Sequence, residues 1–140
     1  MAVGTLKVKL ERIGPAAFRA QAASGGELIV DGAPDIGGEG RGMRPMELLV
    51  SSIASCASMD VVHILRKQGE LLTNLEVYTE AQRKDATPAP ITNVHLRFVA
   101  HGGVNAHKLE RAVKLSVEKY CSVIESLSKD ITVTHEAQAV

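Results

Sequence analysis

The sequence has few aromatic residues and no excess of either charge. Phe and Tyr make up 3% of its 140 residues and Trp is absent, so the core must be built from aliphatic side chains. Sixteen basic and sixteen acidic residues cancel, and no basic stripe with interleaved aromatics points to nucleic acid as a partner. The N-terminal stretch MAVGTLKVKLERIG alternates and lacks the continuous apolar segment of a signal peptide. We therefore expect a cytoplasmic protein.

Cysteine is also scarce, because the chain has only Cys56 and Cys121. Two cysteines in a reducing compartment rarely form a standing disulfide, so each has a redox role, binds a metal or is an inert buried side chain. Zinc usually takes four Cys or His ligands. The five histidines show no ligand-pair spacing, and we expect neither a metal nor another cofactor; they are His63, His95, His101, His107 and His135.

The stretch Arg44–Gly69 predicts a long, buried central helix. Pro45 suits the first helical position, and Gly69 suits the position just past the end. The segment is apolar nearly all round, which is typical of a buried helix. Asp60, His63 and several serines argue against a membrane span. One small sheet cannot cover such a helix, so we expect a second chain to contribute.

The remaining pattern predicts a single α+β domain with the order βββ-α-ββ-α-β. Alternation predicts a half-buried strand over 5–13, with Leu6, Val8 and Leu10 facing one way, and further strands follow at 16–22 and 27–31. Glycine turns join these three into an antiparallel meander. A hairpin is predicted over 75–82 and 91–100, and a last strand over 131–137.

Residues 33–43 form a glycine-rich loop that lacks the Gly-Lys-Ser/Thr ending of a phosphate-binding loop. The favoured interpretation is a flexible surface connector. The alternative is a mobile flap beside a pocket, with Arg41 and Arg44 available as cations.

The second helix is predicted to begin after Gly102-Gly103, with Asn105 as its N-cap. Its apolar face has helical spacing and places Cys121 toward the core; the face consists of Leu109, Val113, Val117, Tyr120, Cys121 and Ile124. Two helices packed in one core can bring thiols within the Cα separation of about 4.4–6.8 Å that a disulfide needs.

Two cysteine motifs resemble those of the OsmC/Ohr family, in particular its branch of short members. The first is P-M-E-L-L followed by Cys56 and M-D-V-V-x-I-L-R-K, and the second is E-K-Y-C-S-V around Cys121. The glycine-rich approach G-G-E-G-R-G-M-R-P-M-E also matches, and the resemblance covers essentially the whole chain. It implies an OsmC-like fold in which two chains intertwine as a homodimer, with long central helices packed against antiparallel sheets.

The resemblance also implies thiol-dependent reduction of organic hydroperoxides in an oxidative or osmotic stress response. Carried over, Cys56 attacks the peroxide and Cys121 resolves the resulting sulfenic acid to a disulfide. A dithiol, in some members a lipoylated protein, then reduces that disulfide, without any metal or prosthetic group. An apolar pocket would favour small apolar hydroperoxides, and no nucleic acid or membrane is implied.

The chain departs from the hydroperoxidase pattern at two positions. A loop arginine is expected near Ser24–Glu27, where none occurs, and Met46 occupies the place of a helix-start glutamate. Arg44 and Glu47 are the candidate substitutes that would activate or orient the thiol. Both face a difficulty, because Arg44 is about 18 Å from Cys56 along a straight helix and Glu47 points to the opposite side.

Two other residues near these motifs have simpler interpretations. We expect Asp60 to pair with His63 or a neighbouring basic residue, and Arg19 to be an ordinary strand residue. Two alternatives to the peroxidase remain open. One is a member of the same fold that binds a small apolar ligand or performs other thiol chemistry, and the other is a purely structural dimer.

Overall fold

The computed structural model describes residues 4–140, which divide after Leu49 into two compact units. The first three residues of the stretch that argued against a signal peptide lie outside the described residues. The element order confirms the predicted α+β class, with additional short helical turns. Each unit is built around one three-stranded sheet.

The N-terminal unit contains the predicted antiparallel meander. Its strands are β1 (Val8–Arg12), β2 (Phe18–Ala22) and β3 (Glu27–Val30), in the order β1-β2-β3. The expected half-buried character of the first strand is wrong for the isolated chain. Leu6, Val8 and Leu10 are 92%, 60% and 57% exposed. Alternation shows which side chains share a face, but it does not show that the same chain covers that face.

The glycine-rich loop, predicted to be a surface connector, has a defined local structure with its own hydrogen bonds. It contains a short 3-10 turn, Pro34–Ile36, and is organised by Asp31, whose side chain is 2% exposed. The Asp31 carboxylate accepts backbone N–H groups from Gly32, Glu39 and Arg41 at 2.7, 3.0 and 3.1 Å. The N–H groups of Glu39 and Arg41 are the main reason that the pKa of Asp31 lies below its ordinary value.

Helix α1 (Pro45–Lys67) begins and ends where the sequence predicts. At its start, the backbone N–H of Arg44 donates to the Glu47 carboxylate at 2.9 Å, which is half of a capping box. At its end, Gly69 has φ +72°. The Gly69 N–H donates to the Arg66 carbonyl and the Glu70 N–H to the Leu65 carbonyl, both at 3.0 Å. This pair of bonds is a Schellman motif.

Helix α1 is only partly covered by its own chain. Of its 23 residues, the fully buried ones are Ile53, Ala57, Val61 and Leu65. They recur every four residues and therefore form one stripe along the helix. Among residues 4–140, α1 is the one helix long and apolar enough to cross a membrane, a test that the core helix of a soluble protein also passes.

The sheet of the C-terminal unit is mixed. Its strands are β4 (Asn74–Arg83), β5 (Ile91–His101) and β6 (Thr132–Ala139), with β5 in the middle. The predicted hairpin and last strand are confirmed, since β4 and β5 are antiparallel. Strand β6, however, runs parallel to β5, because the chain crosses over through the second helix before it returns. Val94, Leu96 and Phe98 of β5 are completely buried in the core of this unit.

The second helix is interrupted before the second cysteine. Helix α2 (Ala106–Leu115) has the predicted cap, since Asn105 Oδ1 accepts the Lys108 N–H at 3.0 Å. A π-helical turn follows over Ser116–Tyr120, then Cys121 in extended conformation, then the short helix α3 (Ser122–Glu125). The prediction of one continuous helix is therefore wrong beyond Leu115. The wider π-turn changes the register, which leaves Tyr120 51% exposed although it was assigned to the core.

Candidate functional site

The two cysteines of the chain lie together in the C-terminal unit. Both are free thiols, and Cys121 is within hydrogen-bonding reach of Cys56. Cys56, in the middle of α1, is partly exposed, whereas Cys121 is 3% exposed. The structure thus brings together two sulfur atoms that are far apart in the sequence and gives only one of them substantial access to solvent.

Burial is the main influence on the second thiol. Burial and, to a lesser extent, the neighbouring Cys56 thiol raise the pKa of Cys121 to about 11. The N–H groups of Ile124 and Val123 act in the opposite direction. At neutral pH, Cys121 is therefore a protonated thiol.

Cys121 occupies a junction between two helical segments. Its φ and ψ of −72° and 108° are outside the helical region, and its sulfur accepts the Ile124 N–H at 3.5 Å as the N-cap of α3. Its own N–H donates to the Ser116 carbonyl at 2.9 Å across the π-turn. The position of the second thiol is consequently fixed by caps and turns rather than by helical periodicity.

The π-turn is fastened to the rest of the unit by side chains that sequence reasoning did not select. The buried Ser116 hydroxyl donates to the Ala112 carbonyl at 2.8 Å. Glu118 contacts the His135 Nε2 atom of β6 at 2.9 Å. This contact is the first cause of the lowered pKa of Glu118. Periodicity placed Glu118 on a polar helix face, and no sequence signal paired it with a strand residue.

Asp60 lies one helical turn after Cys56 and differs from its prediction. The expected ion pair with His63 or another basic residue is wrong. Within residues 4–140, its Oδ2 atom is buried and has no hydrogen-bond partner. His63 instead faces an open groove. Spacing placed the two residues on neighbouring turns but could not show that they do not form an ion pair.

The groove beside α1 has a volume of about 390 Å³. Its apolar part comes from Met59 and Val62 of α1 and from Leu75 of β4, and the polar residues that line it are Ser55, Ser58, His63 and Arg66. Such a surface can receive an apolar group beside a cationic side chain.

The candidate activating residues both belong to the start of α1. The Glu47 carboxylate caps the helix by accepting the Arg44 N–H, and the Arg44 side chain is exposed. Nine residues of helix separate Glu47 from Cys56, a rise of about 13.5 Å. Their proposed roles toward the thiol therefore rest on the resemblance and not on any contact with it.

The other arginines of the N-terminal unit have partners there. Arg41 Nη1 donates to the Ile13 carbonyl at 2.8 Å and so helps to hold the glycine-rich loop. Arg19 lies 3.5 Å from Glu11 and 3.9 Å from Glu27, as expected for an ordinary residue on an exposed strand.

Comparison with known proteins identifies the family. The family model for OsmC-like protein matches residues 38–136. The Escherichia coli protein YhfA is 32% identical over 124 residues, which cover 88% of this chain and 90% of YhfA. A solved structure of a hypothetical protein from Aquifex aeolicus has a TM-score of 0.81 at 33% identity, with 99% of each chain covered.

More distant structures share the fold alone. The organic hydroperoxide resistance protein OhrB of Bacillus subtilis is 18% identical, with a TM-score of 0.68 over 98% of this chain and 100% of OhrB. These matches, with the motifs around both cysteines, show that the chain belongs to the family of OsmC-like proteins.

Proposed function

We propose that the protein is a thiol-dependent reductase of small organic hydroperoxides, with Cys56 as the peroxidatic and Cys121 as the resolving cysteine. The observation that carries this proposal is the contact between the two free thiols, one partly exposed and one buried. A sulfenic acid formed on a solvent-accessible thiol needs a second thiol close by to become a disulfide.

In the first step, the Cys56 thiolate attacks the terminal oxygen of the hydroperoxide. The new S–O bond forms as the O–O bond breaks, and the alkoxide leaves and takes a proton to become the alcohol. Sulfur is oxidised to the sulfenic acid and the peroxide is reduced. The partial exposure of Cys56 gives the substrate access to the sulfur.

In the second step, the sulfur of Cys121 attacks the sulfur of the Cys56 sulfenic acid. The S–S bond forms, the S–O bond breaks, and hydroxide leaves as water with the proton of the Cys121 thiol. Burial keeps Cys121 protonated with a pKa of about 11, so that it carries this proton at neutral pH. A dithiol reductant, such as a lipoylated protein, then exchanges with the disulfide and restores both thiols.

The proposal includes a cytoplasmic homodimer. Its support is the apolar surface that a single chain leaves accessible, on α1, where Met59 is 69% exposed, and on Leu6, Val8 and Leu10 at the first strand. Exposed apolar surface of this extent is typical of a protein interface. The role of Arg44 or Glu47 in activating or orienting the thiol also remains a proposal; either residue could act across such an interface.

The test is consumption of cumene hydroperoxide with dihydrolipoamide as reductant. We expect turnover by the wild type and a loss of at least about 100-fold in Cys56→Ser, because the attacking sulfur is gone. Cys121→Ser should stop after one turnover with Cys56 as sulfenic acid, which a 1,3-diketone reagent traps and mass spectrometry detects. Absence of turnover by the wild type would reject the reductase proposal.

A second candidate function is binding of a small apolar ligand, and the groove beside α1 favours it. Binding of an apolar fluorescent probe should then fall in Met59→Glu, which introduces a charge into the groove, and persist in Cys56→Ser. Wild-type protein that binds the probe in this manner but consumes no hydroperoxide would support this second function over the first.

A further inference from the structure

The π-turn over Ser116–Tyr120 leads directly into the second thiol. Cys121 follows it in extended conformation, and its N–H donates to the Ser116 carbonyl at 2.9 Å. Helical turns of this kind are rare in proteins and occur frequently at functional sites. Because the Cys121 sulfur is within hydrogen-bonding reach of Cys56, a change in the turn also changes how the two sulfur atoms meet.

Glu118, in the middle of this turn, is tied to the sheet. Its carboxylate is an acceptor, so the His135 Nε2 atom, 2.9 Å away, is the donor. The His135 side chain is only 23% exposed. His135 belongs to β6 and aligns with Leu96 of β5, which is completely buried. The contact thus joins the turn that carries Cys121 to the core sheet of the C-terminal unit.

Forming a disulfide requires the two thiols to come closer. An S–S bond is about 2.05 Å long, whereas two free thiols in hydrogen-bonding contact have their sulfur atoms farther apart. Cys121 therefore has to approach Cys56 as the bond forms. A group that is already held near its final place loses less conformational freedom in such a step, so the step is faster and more favourable.

We propose that Glu118 and His135 are positioning residues for Cys121, because their contact holds the π-turn where the Cys121 sulfur can close the disulfide with Cys56. The inference rests on the proposed reductase function, whose second step forms this bond. Without the contact, the reduced protein gains freedom that the disulfide form shares only in part. Formation of the disulfide should then be slower and less favourable, whereas oxidation of Cys56 itself should not change.

The test measures the equilibrium between the thiol pair and its disulfide in mixtures of reduced and oxidised glutathione. One oxidised glutathione accepts the two electrons of the pair, so that one protein disulfide and two reduced glutathione molecules form. In Glu118→Ala, we expect the equilibrium constant for disulfide formation to fall about 3- to 5-fold, as for the loss of a partly exposed ion pair. The reduction potential then becomes about 14–21 mV less negative.

Glu125→Ala is the matched control, because Glu125 also lies close to Cys121 in the chain and also has a cationic partner. That partner is Lys129 at 3.2 Å, four residues further along the same segment rather than on the sheet. This substitution should leave the equilibrium unchanged. A contact that only stabilised the fold would act on the reduced and oxidised proteins alike, so it would not change the equilibrium either.

A double-mutant cycle tests whether Glu118 acts through His135. In the His135→Ala protein, Glu118→Ala should cause no further decrease in the equilibrium constant. In a Cys121→Ser background, the rate at which cumene hydroperoxide oxidises Cys56 to the sulfenic acid should be the same with and without Glu118→Ala.

An equilibrium constant that is equal in the wild type and in Glu118→Ala would overturn the inference, and so would effects of the two substitutions that simply add. A wild type that forms no disulfide would overturn both this inference and the proposed resolving step. A wild type that forms the disulfide but consumes no hydroperoxide would reject the reductase function alone, since the equilibrium constants would still decide the positioning role.

Discussion

At the scale of single residues, the environment assigns different tasks to chemically identical groups. Cys56 and Cys121 are both thiols, but Cys56 is partly exposed to solvent, whereas Cys121 is buried and its pKa is raised to about 11. Asp31 is a buried acid, and Asp60 is a partly exposed one with a buried carboxylate oxygen. The first has three backbone donors, while Oδ2 of the second has none.

Asp31→Asn should lower the melting temperature at pH 7 by about 5 °C or more, because the loop loses its charged acceptor. The pKa of Asp31 is lowered from 3.8 in the folded protein. Its stabilising effect is therefore complete above that value and is lost as the pH falls through the folded pKa. Thermal unfolding of the wild type and of Asp31→Asn should show that the difference between their melting temperatures becomes smaller below pH 3.8.

The control for this prediction is Asp35→Asn, an exposed acid in the same loop, which should change the melting temperature little at any pH. If the melting temperatures of Asp31→Asn and the wild type differed by the same amount down to the lowest pH, the charge of Asp31 would not be what stabilises the loop.

At the scale of elements, the ends of α1 were predictable and the end of α2 was not. Pro45, Glu47 and Gly69 act through bonds to residues a few positions away, so their roles can be read from local sequence. The π-turn before Cys121 contacts a distant strand through Glu118 and His135, a pairing that local sequence does not reveal. Apolar spacing correctly predicted that Cys121 is buried, but a register change of this kind leaves no trace in the periodicity.

In the candidate site, too, some features could be predicted from the sequence and others could not. The thiol pair followed from two motifs and a family resemblance, and the contact between the thiols agrees with it. The unpaired Oδ2 of Asp60 was hidden, because spacing alone cannot tell which nearby cation a side chain meets. The sequence also did not predict that Asp31 is buried and accepts three backbone N–H groups, since Asp-Gly is an ordinary turn signal.

Gly69→Ala should destabilise the protein by about 1 kcal/mol, measured by urea unfolding. The φ of +72° at this position disfavours any residue with a Cβ, and the space around it is open, so backbone conformation alone determines the effect. Gly26→Ala is the matched control, because Gly26 also has open space but no positive φ. Equal effects of the two substitutions would show that the Schellman end of α1 does not depend on glycine.

At the scale of the whole molecule, the proposed dimer accounts for surface that the single chain leaves uncovered. The double variant Val8→Glu/Leu10→Glu should weaken self-association at least about 10-fold, because it places two like charges on the exposed apolar face of β1. Sedimentation velocity over a range of concentrations measures this change.

The matched control is Lys9→Glu. Lys9 belongs to the same strand but points to its other face, so this substitution should leave the association state unchanged. A wild type that sediments as a monomer at all concentrations would reject the dimer, and equal effects of both variants would place the interface elsewhere.

The parallel pairing of β6 with β5 has a consequence for folding during synthesis. Asn93 aligns with Thr132, so during synthesis the middle strand β5 lacks its second neighbour until the residues of β6 have been made. Until then one edge of β5 stays open, and His135 is not yet present to fasten the turn ahead of Cys121. The two sulfur atoms therefore gain their final surroundings only after β6 has been made, and an oxidant that reaches the nascent chain earlier meets both thiols before those surroundings have formed.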